Sequence, residues 1–166
     1  QLVGFGTRHT LSDTLSPSRG IGAARRWISS EFERISAACN GCLQVQFVGD
    51  MVGLTPRIPT PTNVVSVVAV QRGTTDPDRV VIITGHFDSR NSSAMDTTGD
   101  APGANDDGSG TAAVIEAARI LSRYQFAGTI VYATLAGEEQ GLNGGQIVAR
   151  WARAQNFRLI ANLNND

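Results

Sequence analysis

Apolar residues fall at helical spacing between positions 19 and 37, where Ile21, Ile28, Phe32 and Ile35 are separated by polar turns carrying Arg25, Arg26, Glu33 and Arg34. Preceded by the start signal Ser16-Pro17-Ser18, the pattern predicts an amphipathic helix. Leu43, Val45 and Phe47 then alternate with Gln44 and Gln46, the period-two pattern of a half-buried strand. The proline-rich run over 55–62 reads as an extended connection, because too little chain precedes it to fold alone. A second strand is expected over 63–70.

Beyond this point the pattern changes from alternation to solid apolar runs. Residues 79–84, 129–135 and 158–163 predict strands buried on both faces, with helices near 109–123 and 141–155 between them. In the first of these helices Glu116, Arg119 and Arg123 mark the solvent stripe, and Val114, Ile115, Ala118, Ile120 and Leu121 the inner face. Strand, helix, strand, helix, strand implies two right-handed crossovers and three parallel strands.

With 166 residues, 41% hydrophobic and only 17% charged, the chain has the size of one ordinary domain and the makeup of a globular fold. Fourteen basic residues, all arginine, stand against 15 acidic ones, for a formal charge of -1, so no nucleic-acid partner is expected. The longest apolar run, 64–70, is interrupted by Ser66 and falls far short of the roughly 18 residues of a membrane span, so no membrane partner is expected either. The chain opens without methionine or a leader pattern and closes on an apolar stretch, which predicts a piece of a longer, processed protein. Cys39 and Cys42 read as a short local disulfide of an exported protein. A zinc knuckle would need a second ligand pair, and a thioredoxin-like site would need a strand before the motif.

In an open parallel sheet, ligands bind beyond the carboxyl ends of the strands. The polar residues sit there: His86 and Asp88 after the first solid strand, Glu138 and Glu139 after the second, Asp166 after the third. The connection 88–107 has no predicted structure and carries Asp88, Asp96, Asp100, Asp106 and Asp107 against Arg90 alone, and unstructured connections of such length are usually functional. Converging carboxylates repel unless a cation neutralises them, and an imidazole among them favours zinc over calcium or magnesium. Asn105-Asp106-Asp107-Gly108 lacks the alternating ligands and final glutamate of a calcium loop. Asp88, two residues from His86, can hold the imidazole in its metal-binding tautomer.

Taken together, Thr84-Gly85-His86-Phe87-Asp88-Ser89, the run from Ala101 to Gly110, Ala136-Gly137-Glu138-Glu139-Gln140-Gly141-Leu142 and Asn164-Asn165-Asp166 resemble the co-catalytic zinc aminopeptidases of the bacterial leucyl aminopeptidase type, in metallopeptidase clan MH. The resemblance runs from about Val64 to Asp166, with Gly6-Thr7-Arg8-His9-Thr10 similar to the lead-in of exported bacterial members. It implies a three-layer α/β/α fold with a mixed, mostly parallel central sheet. Residues 1–166 would be an incomplete catalytic domain, with 1–42 a lead-in and helix and 43–166 the sheet and metal-site motifs. It further implies two zinc ions, with His86, Asp106, Glu139 and Asp166 as metal ligands and Asp106 bridging. Asp88 would orient His86, and Glu138 would be the general base.

The family's remaining zinc histidine normally lies beyond position 166, and His9 is not expected to replace it. The resemblance thus implies a peptide substrate cleaved at its N-terminus and an exported, periplasmic or secreted, location. It also implies association of the last strand with a missing C-terminal segment or with a second copy. A carboxypeptidase or glutaminyl cyclase of the same fold, and a receptor-like domain without metals, are the alternative readings.

Overall fold

The computed structural model describes residues 1–166. A short 3-10 turn, Leu2–Phe5, leads to α1 (Gly20–Ala38), β1 (Gln44–Val52), β2 (Thr62–Gln71), β3 (Asp76–His86), α2 (Gly108–Leu121), β4 (Gly128–Leu135), α3 (Asn143–Ala154) and β5 (Arg158–Asn164). The strands form one mixed sheet in the order β1-β2-β4-β3-β5. The β1–β2 and β2–β4 pairs are antiparallel, and β4–β3 and β3–β5 are parallel. The three solid apolar runs are therefore the parallel strands, as the crossover argument requires.

The strand order decides where the helices lie. The crossover through α2 carries the chain from β3 to β4 in one direction, and the crossover through α3 carries it back past β3 to β5. Two right-handed crossovers of opposite direction place their helices on opposite faces. α1 packs beside α2 and against β1 and β2, while α3 covers β1, β2 and β4. The core lies between these layers, built from Ile28 and Phe32 of α1, Val67 and Ala69 of β2, Val80 of β3, Val114 of α2 and Val131 of β4.

Three packing expectations are corrected. The run 158–163 is not buried on both faces: Leu159, Ile160 and Leu163 are about half exposed, because β5 is an edge strand paired only with β3. Phe47 is exposed and Val48 buried, since Phe47 lies in a shallow groove beside Ile147 and Trp151 of α3. Ile120 is also exposed; it stands four residues after Glu116 and so shares that residue's solvent stripe. Cys39 and Cys42 are joined by a disulfide between α1 and β1.

Candidate metal centre

Parallel pairing sets the ends of β3, β4 and β5 level: His86 stands opposite Leu135, and Thr84 opposite Asn164. Because the chain leaves the neighbouring strands β3 and β4 toward opposite faces, a crevice opens at their carboxyl ends. His86 ends β3, Glu138 and Glu139 follow β4, and Asp166 follows β5, so three strand ends bring these residues to the rim of the crevice.

Each side chain is held by its own local device. Asp107 caps α2, one carboxylate oxygen accepting from the Gly110 N–H at 2.8 Å, and its other oxygen accepts from the His86 N–H at 2.8 Å. The helix start is thereby locked to the end of β3, which carries Asp106 to the crevice. The Thr84 carbonyl accepts from both the backbone N–H and the side-chain amide of Asn165, at 3.0 Å each, and this fixes the approach of Asp166. The Asn165 carbonyl lies so close to Gly110 that any side chain there would collide with it.

Asp88 is fully buried. Its Oδ1 accepts from the Glu138 N–H at 3.2 Å, and its Oδ2 accepts from the Glu139 N–H at 3.2 Å and the Thr10 hydroxyl at 3.0 Å. His86 Nδ1 lies 3.2 Å from the Asp88 carbonyl and 3.4 Å from Oδ1. Asp88 therefore fixes the imidazole through its main chain as well as its carboxylate, and ties the β4 loop to the end of β3.

The other ring nitrogen defines the centre. His86 Nε2 is buried and makes no hydrogen bond, yet it faces Asp106 Oδ1 at 3.1 Å and Glu138 Oε2 and Asp166 Oδ1 at 3.8 Å. The Asp106 oxygen is near but off the direction a hydrogen bond needs. Ligand atoms of His86, Asp106 and Asp166 all lie within 4.8 Å of one another, close enough to share one cation. A buried imidazole nitrogen without a partner, ringed by carboxylates, is the donor set of zinc.

The electrostatics agree. Burial works against charge on His86, but the hydrogen bond and charge of Asp88, with Glu138 and Asp107, outweigh it and hold the imidazole up to about 9. The same carboxylates that retain a proton there attract a cation. Glu138, half-buried, is raised by burial and then by Asp88, Asp166 and Glu139, with His86 opposing. Asp107 is also raised by burial, against its two backbone hydrogen bonds.

Glu139 is not among the three converging groups. Its Oε2 accepts from Arg90 Nε at 2.7 Å, and its backbone carbonyl accepts from Arg57 at 2.6 Å. His9 is buried elsewhere: its Nδ1 accepts from the Leu11 N–H, and its Nε2 lies 3.1 Å from both the Ala94 carbonyl and the Gln140 side-chain amide. Asp107, Thr10, Arg8 and Arg90 are named among the sequence features above, but none is given a role in the site there. Only Asp107 had a local signal, as an acidic residue directly before the predicted helix.

Residues 66–166 match the sequence pattern of peptidase family M28. A "Probable zinc metalloprotease" of Pyricularia oryzae is 47% identical over the whole chain, which spans 33% of that protein. The chain thus covers about a third of the length of such relatives. A LapA aminopeptidase of Legionella pneumophila superposes with a TM-score of 0.73 and 25% identity, covering 98% of this chain and 39% of its own. A Fimbriiglobus ruber glutaminyl cyclase shares the fold, with a TM-score of 0.73 at 16% identity over 99% of this chain and 57% of its own.

Proposed function

The chain belongs to peptidase family M28, and from that premise we propose that it is the metal-site portion of an exported zinc aminopeptidase that releases residues from peptide N-termini. The observation that supports this most is the unpartnered His86 Nε2 among Asp106, Asp166 and Glu138. His86, Asp106 and Asp166 would hold one zinc, and Asp106 and Glu139 would contribute to a second. When bound, zinc acidifies a water molecule and stabilises negative charge on a peptide carbonyl.

The chain's own residues supply the rest. Glu138, lifted above the usual carboxylate range by burial and its acidic neighbours, is suited to take a proton from the attacking water and return it to the departing amine. Asp88 keeps the His86 ring fixed and holds Glu138 and Glu139 by their backbone N–H groups. Asp107 holds the segment bearing Asp106 against β3. The Cys39–Cys42 disulfide supports export to an oxidising compartment. The exposed edge of β5 supports pairing there with a later segment of the polypeptide.

The test is the full-length protein assayed on an unblocked aminoacyl reporter, on the same reporter with an acetylated amine, and on an N-terminal glutaminyl peptide. Cleavage of the unblocked reporter alone, lost in chelator and regained with zinc, is expected, with two zinc ions by metal analysis. Ring closure of the glutaminyl peptide without reporter cleavage would overturn the aminopeptidase reading, and activity surviving verified metal removal would overturn the zinc.

A further inference from the structure

We infer that Arg8 is a positioning residue of the metal centre, its single guanidinium pinning the loop that carries Asp106 to the strand end that carries His86; the inference rests on the metal-site reading above. Arg8 is 1% exposed, and no carboxylate pairs with it. Its donors go to carbonyls instead. Nε donates to Phe87 O at 2.6 Å, between His86 and Asp88. Nη1 donates to Pro102 O at 2.7 Å and to Leu2 O at 3.2 Å, and Nη2 donates to Gly103 O at 2.9 Å. Burial lowers the guanidinium's pKa, and the charges of Asp88 and Asp107 oppose that effect. The cation therefore sits behind the acidic cluster and bridges its two halves.

The surroundings are fitted to the same bridge. The Arg8 N–H donates to Ser89 Oγ at 3.1 Å, and the Ser89 hydroxyl donates to Ala101 O at 2.7 Å. Gly103 has φ +45°, and a Cβ there would crowd the Ser89 side chain at 2.6 Å and Arg8 Nη2 at 2.9 Å. A lysine could keep the charge but not the planar fork that reaches both the Phe87 side and the Pro102–Gly103 side. The span is what a metal centre needs, because ligands on separate segments lose affinity when the groups that orient them are loosened.

The experiment titrates the full-length protein, Arg8→Lys and Ser89→Ala with Co(II) after metal removal, reading affinity by calorimetry and ligand geometry by the visible spectrum of the bound ion. The parent protein is measured first: failure to bind overturns the metal site itself and this inference with it. With a binding parent, Arg8→Lys should weaken binding by about tenfold or more and alter the spectrum, and Ser89→Ala should do the same to a smaller degree. A purely structural role would lower thermal stability and leave both readouts at parental values, which overturns the inference. If Arg8→Lys fails to fold, Ser89→Ala decides alone by the same criterion.

Discussion

Glu138 and Glu139 are neighbours in sequence and part company in space. Glu138 faces His86 Nε2 at 3.8 Å, while Glu139 is nearly buried with one oxygen given to Arg90. Two carboxylates in such different surroundings are suited to different tasks. A glutamine at 138 keeps the shape and removes the proposed base. Glu138→Gln should retain the parental metal content while turnover falls by roughly two to four orders of magnitude. Metal analysis beside steady-state kinetics checks this, and metal loss parallel to the loss of turnover would make Glu138 a ligand instead. His86 and Asp166 could be placed at one edge from sequence because each stands at the end of a strand, whereas Asp106 is assigned through the resemblance of its motif. Arg8 could not be placed, since its carbonyl partners Phe87 and Pro102 lie 79 and 94 residues away and leave no local pattern.

At the scale of elements, the loop 88–107 has no helix or strand and is ordered by side chains turned back on the backbone. Asp96 is its local hub, accepting from Gly99 N–H, the Asn91 amide, and the backbone N–H and hydroxyl of Thr98. These bonds, the Gly99 N–H foremost, hold its carboxyl below the usual carboxylate range. A depressed value stabilises the folded loop fully above the unfolded value of about 3.9 and is lost as pH falls through the folded one. The contribution of Asp96 to the loop's resistance to limited proteolysis should therefore be constant from neutral pH to about pH 4. Asp96→Ala should be nicked within it already at neutral pH; an uncut variant would show that Arg8 and Ser89 suffice. The Cys39–Cys42 link closes a very short loop, so Cys39→Ser with Cys42→Ser should destabilise the protein by only about one to two kcal/mol in urea unfolding. The period of the apolar pattern revealed which segments are strands but not their neighbours. The antiparallel β2–β4 contact and the exposure of β5 depend on strand order, which local hydrophobicity does not encode.

At the scale of the molecule, both outer strands of the sheet, β1 and β5, are paired on one side only. β1 exposes Gln44, Gln46 and Asp50 together with Phe47 and Met51, the last two at 53% and 59%. β5 exposes Leu159, Ile160 and Leu163 at 48%, 48% and 53%. Apolar hollows flank β5 on both faces, one lined by Val81, Ile83 and Phe126, the other by Leu135, Val148 and Ala152. An uncovered apolar edge with unpaired backbone groups recruits another chain. The same strand leads to Asp166, so any distortion of β5 reaches the metal centre through the Asn165–Thr84 bonds. The 166-residue chain produced alone should therefore self-associate and hold zinc weakly, and the full-length protein should be monodisperse with tight zinc. Light scattering and metal content on both proteins check the two halves of this expectation. A monomeric 166-residue chain with two tightly bound zinc ions would show that the β5 edge needs no partner and that the centre completes its ligand set from these residues alone.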